Sequence, residues 1–111
     1  MRESFKAAFS GLKSAVFEKS FRMMAVITVL VIAAMLYYPT SRLEKVLLLA
    51  AILAVLVLEL VNSTIERIMN IVSPEYSEQV RAVKELMAAI VLLASIGAAI
   101  IGIIIFLPYI V

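Results

Sequence analysis

The chain has 111 residues, 65% of them apolar and 16% charged, with a mean hydropathy of +1.14 and a net charge of +2. Soluble domains carry about 45–50% apolar and about 25% charged residues, and a monomer this small has too little interior to hide such an excess. Three membrane spans of roughly 20 residues would leave about 50 for everything else, so no appended soluble catalytic domain is expected.

In chain order, the first element is an amphipathic helix over 3–20. Phe5, Phe9, Leu12 and Val16 fall within about 60° of one another at ~100° per residue, with Lys6, Ser10 and Lys13 on the other side. This pattern predicts a helix lying in the membrane surface, its basic residues near anionic headgroups. The first span is expected over about 23–38, closed by Tyr37, Tyr38 and Pro39. Aromatics and proline, rather than an A-x-A pattern, end this apolar run, so it reads as a retained helix and not a cleaved leader. The second span is expected over about 46–66, its apolar run interrupted only by Glu59. The third covers about 84–107, broken late by Pro108. An open sheet cannot satisfy its backbone in lipid, so all three are helices despite their β-branched content.

Basic residues set the orientation. Five precede the first span (Arg2, Lys6, Lys13, Lys19, Arg22) and three lie in the second loop (Arg67, Arg81, Lys84), against Arg42 and Lys45 in the first loop. Eight against two places the N-terminus and second loop in the cytoplasm and the C-terminus outside. The expected location is thus the cytoplasmic (inner) membrane, crossed several times. No nucleic-acid partner is expected.

Absences narrow the chemistry. Without Cys or His there is no thiol nucleophile, imidazole base or soft metal site, and the eight acids are all Glu. The informative stretch is Glu59-Leu-Val-Asn62-Ser-Thr-Ile-Glu66-Arg-Ile-Met-Asn70. On a helix Asn62, Glu66 and Asn70 fall about −60°, −20° and +20° from Glu59, which makes one polar stripe running from the bilayer to its cytoplasmic surface. An ionisable residue inside a span costs about 2.5–3.5 kcal/mol on insertion scales and so has a function or a partner. Glutamates and amide oxygens are hard ligands that suit Mg²⁺. A deeper carboxylate can take a proton from a lipid alcohol, and Arg81 and Lys84 near the next helix start can meet phosphate oxygens. No Walker-type or protein-kinase motif is present. The competing reading is a non-enzymatic helical subunit whose glutamates are packing or proton-relay groups.

The segment ELVNSTIERIMN resembles the E-x-x-N-[ST]-x-I-E-x-x-x-[DN] signature of the small bacterial diacylglycerol kinases, a family that includes undecaprenol kinases. The likeness extends to Phe5-x-x-Ala8-x-x-Gly11-Leu12, Glu18-x-x-Phe21-Arg22, Pro74-Glu75-Tyr76 and Arg81-x-x-Lys84-Glu85. It implies a homotrimer of three-span protomers, each with a surface helix. It also implies active sites near the cytoplasmic membrane surface, shared between neighbours, that use ATP and Mg²⁺ to phosphorylate a lipid alcohol, diacylglycerol or undecaprenol. By motif position Glu59 resembles the catalytic base and Glu18 and Glu66 the metal ligands, both also against the nucleotide. Asn62, Glu75, Tyr76, Ser77, Lys84 and Glu85 match nucleotide-site positions, and Arg22, with Glu59, matches the lipid-substrate side. The sequence departs from the family pattern at Glu85 and Asn70, each commonly Asp, at Met24, polar in some members, and in a connection from Gly11 to Glu18 one residue shorter than usual.

Overall fold

The computed structural model describes residues 2–72 and 77–111, and the regular structure in them is all helical. Four helices follow in order: α1 (Arg2–Val16), α2 (Lys19–Tyr37), α3 (Arg42–Val72) and α4 (Glu78–Ile110). The last three are long and apolar enough to cross a membrane.

The N-terminal helix stops short of the expected residue 20. Phe17 and Glu18 close it with tightened i→i+3 bonds to the Ser14 and Ala15 carbonyls at 3.3 and 2.9 Å. Glu18 is extended (φ −83°, ψ 132°) and stands at the N-cap of α2, yet its side chain caps nothing there. It reaches α3 instead, so a tertiary bond breaks what periodicity alone continues. Phe5, Phe9, Leu12 and Val16 are all exposed.

At the other end of α2, Tyr38 precedes Pro39 and is held extended (ψ 151°), which ends the helix. The buried Thr40 hydroxyl donates to the Met35 carbonyl at 2.9 Å, satisfying one of the helix's last acceptors. A capping box then starts α3. The Ser41 N–H donates to Glu44 Oε1 at 2.8 Å, and the Glu44 N–H returns a bond to Ser41 Oγ at 3.1 Å.

Helix α4 runs past Pro108, where the sequence implied a break. A proline this close to a helix end removes few bonds, and the Val111 N–H still closes on the Leu107 carbonyl at 3.1 Å. The continued turn lets the Tyr109 hydroxyl donate to the Glu44 carboxylate, with the Pro39 carbonyl 3.3 Å away. The Tyr109 ring lies 5.9 Å from that of Tyr38, which in turn lies 6.1 Å from Phe106. These contacts pin the end of α4 to the turn between α2 and α3. With 31 and 33 residues, α3 and α4 run about 46 and 50 Å, beyond a hydrocarbon core of about 30 Å. Pinned at one end, they project their surplus at the other, where Glu66, Arg67 and the first turns of α4 lie. Arg67, Arg81 and Lys84, assigned to the second loop from the sequence, are accordingly helical residues.

Packing is thin. Helix α3 lies mainly along α4 and more lightly against α2, while α1 touches α2. Met35, Leu48 and Ile105 form a buried cluster near the pinned end, with Val31, Ile32, Ile101 and Phe106 packed on it. Beside this cluster α2 and α4 stand apart over α3 and leave an apolar groove of about 540 Å³ whose walls include Thr28, Val31, Ala51, Val55, Ala98 and Gly102. The glycines of α4 make no close approach inside the protomer: a Cβ on Gly97 or Gly102 would meet nothing within 4 Å. With most of its large apolar side chains exposed, the protomer needs lipid or other protein around it.

Candidate functional site

The polar stripe lies on the half of α3 away from the pinned end. Glu59 is buried, with 6% of its surface exposed; Asn62 is half-buried, and Glu66 and Asn70 are exposed. Burial thus falls toward the helix end, as expected of a stripe that leaves the bilayer. No fully sealed side-chain polar atom without a partner occurs among the described residues.

Helix α3 draws Glu18 into this region. The Ser63 hydroxyl donates to Glu18 Oε2, and Arg67 Nη2 donates to Glu18 Oε1 at 2.6 Å. Ser63 and Arg67 are four residues apart and share a face, so one carboxylate is gripped at both oxygens by consecutive turns. The Ser63 hydroxyl first, and then the Arg67 guanidinium, hold the Glu18 carboxyl below the usual carboxylate range, which leaves it ionised at neutral pH. The tie to Ser63 and Arg67 sets Glu18 against the stretch of α3 that carries Glu59 and Glu66, 41 and 48 residues further along the sequence.

Sequence reasoning missed the grip on Glu18. It read Arg67 only as a topology charge and Ser63 only as a motif position. The available signal was their i, i+4 spacing beside a stripe of carboxylates.

The remaining site residues fall into three places. Glu75 and Tyr76 lie outside the described residues. Ser77 is the N-cap of α4, its Oγ accepting from the Val80 N–H at 3.2 Å. Ser77→Ala is therefore expected to cost about 1 kcal/mol of stability, read by thermal unfolding in detergent, with Ser77→Asp restoring it; an unchanged midpoint for Ser77→Ala would remove the capping role. On the next turns Arg81 Nε donates to Glu85 Oε1 at 2.9 Å and Arg81 Nη1 lies 3.9 Å from Glu78 Oε1, so both acids serve Arg81. Lys84 is half-buried and forms no ion pair among the described residues. None of the bonds among those residues joins Ser77, Lys84 or Glu85 to the glutamate group on α3. Arg22 is exposed at the start of α2, where with Lys19 it borders a shallow apolar strip of Met23, Val26 and Ile27.

The donor set fits a hard divalent cation that keeps other oxygens in its shell. Mg²⁺ is commonly bound by one or two carboxylates plus phosphates and water, and Glu18 and Glu66 supply two. Among the described residues no three such ligands cluster tightly enough to enclose a metal alone.

A family model described as "Prokaryotic diacylglycerol kinase" matches residues 6–106. Among curated proteins, the diacylglycerol kinases of Escherichia coli K12, Escherichia coli O157:H7 and Shigella flexneri are each 30% identical over 94 residues. The alignment covers 84% of this chain and 77% of each relative.

Proposed function

Because the chain belongs to the prokaryotic diacylglycerol kinase family, we propose that it transfers the γ-phosphate of ATP to the primary hydroxyl of a membrane lipid, diacylglycerol being the acceptor class its relatives' names support. The carrying observation is Glu59, a carboxylate buried in an apolar helix, with Glu18 tied to the next turns of the same helix and Glu66 two turns further on. Intramembrane ionisable groups of this kind mark function.

In this reading Glu59 sits one turn deeper than Asn62 and two deeper than Glu66, at the level of a lipid hydroxyl. Its carboxylate accepts the hydroxyl proton as the lipid oxygen bonds to the γ-phosphorus, the bond to the β-phosphate oxygen breaks, and ADP leaves. Glu18 and Glu66 would hold Mg²⁺, which when bound neutralises charge on the phosphates. Lys84 meets the nucleotide from α4, with Asn62, Glu75, Tyr76, Ser77 and Glu85 completing its surroundings, and Arg22 flanks the lipid headgroup. The basic-residue count puts this end of the helices in the cytoplasm, where ATP is, and the C-terminus outside. The exposed apolar face of α1 suits a helix lying in the membrane surface. Three protomers would cover the groove between α2 and α4 and place the small residues of α4 at a helix contact.

The test is transfer of labelled phosphate from ATP to lipid in mixed micelles, with diacylglycerol and undecaprenol offered separately. Labelled phosphatidic acid is the expected product. Labelling of undecaprenol alone would change the acceptor, and labelling of neither lipid would remove the kinase reading.

A further inference from the structure

The grip on Glu18 conflicts with the role proposed for it. A carboxylate that is to bind a divalent cation has both oxygens occupied, Oε2 by the Ser63 hydroxyl and Oε1 by the Arg67 guanidinium at 2.6 Å. The two bonds differ in kind. A hydroxyl donating to one oxygen leaves the carboxylate's charge and its other oxygen available to a metal, whereas a guanidinium on Oε1 occupies the same oxygen and supplies the same sign of charge. Among the described residues Arg67 is the one cation bonded to the group formed by Glu18, Glu59 and Glu66. Its side chain is 54% exposed and that of Glu18 is 28% exposed. An ion pair so open to solvent costs little to break, and Arg67 can swing into water without leaving a buried charge behind.

Resting on the reading of Glu18 as a metal ligand, we propose that Arg67 is a built-in placeholder cation that holds Glu18 against α3 until a divalent metal arrives with the nucleotide and displaces it. Ser63 keeps its bond through the exchange and holds the carboxylate in position. The tie joins the α1–α2 junction to α3 across 45 and 49 residues of sequence. Exchange of one cation for another therefore keeps Glu18 at α3, where loss of Arg67 without replacement would leave its carboxylate with no opposing charge among the described residues. The consequence is competition: the metal binds against Arg67, and its apparent affinity is lower than the carboxylates alone would give.

The experiment measures Mn²⁺ binding by the electron-paramagnetic signal of the free ion. It uses full-length protein in detergent micelles with a non-hydrolysable ATP analogue. Arg67→Gln is expected to tighten Mn²⁺ binding by about fivefold, the scale of one solvent-exposed charge pair, and Arg67→Lys to stay near wild type. The difference should shrink as salt is raised. Arg67→Gln binding Mn²⁺ no tighter than wild type, while Glu66→Gln binds it more weakly, would overturn the placeholder and leave the metal site standing. Glu18→Gln binding Mn²⁺ as wild type does would remove Glu18 from the metal site, and the placeholder with it. On the unaltered protein, the guanidinium ¹⁵N signals of Arg67 should move toward those of free arginine when Mg²⁺ and the analogue are added. Signals that stay in place would also overturn the proposal, whatever the variants' folding.

Discussion

Glu59→Gln is expected to lower kcat for lipid phosphorylation by about 10²-fold or more, the usual scale for losing a general base. Glutamine keeps the length and planar end of the side chain, so the packing around a residue only 6% exposed is retained. It cannot take up a proton. The affinity for nucleotide should change far less, because the ATP-facing residues proposed here lie elsewhere: Glu18 at the α1–α2 junction, Glu66 two turns further along α3, Lys84 on α4. Steady-state kinetics against lipid and ATP separate the two effects, with kcat falling and KM for ATP nearly constant. A variant with near wild-type kcat would return Glu59 to a packing role between helices. A large rise in KM for ATP at constant kcat would move it from the acceptor side of the site to the nucleotide side.

What the sequence made legible follows from where the information is local. Three long apolar helices follow from hydropathy alone, because span length and apolar content are set by the bilayer and not by partners within the chain. The polar stripe on α3 was equally readable, since a helical period fixes which residues share a face. The misplaced boundaries have tertiary causes. The 3.6-residue pattern gave no reason to stop the first helix at Val16, because the bonds that turn the chain there join Glu18 to Ser63 and Arg67. Pro108 reads as a breaker in isolation, yet α4 continues to Ile110, where the Tyr109 hydroxyl meets Glu44. Both contacts span more than forty residues, a distance at which local pattern carries no signal. The groove beside Ala98 and Gly102 was hidden for a related reason. Small residues at four-residue spacing permit a close helix contact, but whether the partner is within the protomer or outside it depends on how α2 and α4 diverge.

The divergence between two glutamates with one proposed role gives the second large expectation. Glu18→Gln removes a candidate metal ligand and also disturbs the bonds from Ser63 and Arg67 that tie α2's start to α3, so its effects on folding and on metal binding are mixed. Glu66 is free of that complication: it is exposed and forms no ion pair among the described residues. Glu66→Gln should therefore fold as the wild type does, with the same thermal midpoint. If it contributes an oxygen to the metal, the Mg²⁺ concentration for half-maximal activity should rise by about 10- to 100-fold or more, since loss of an outer partner of a metal site alone has effects of that size. Mn²⁺ should replace Mg²⁺ in the unaltered protein, whereas Zn²⁺ should be a poor substitute, because the chain has neither His nor Cys to offer it. Titrating activity against each metal, after chelator treatment, reads all three expectations. Full activity in excess chelator would exclude a metal from the reaction. An unchanged Mg²⁺ requirement in Glu66→Gln would leave Glu18 as the protein's single carboxylate at the metal and assign Glu66 to the electrostatics of Glu59, two turns away on the same helix.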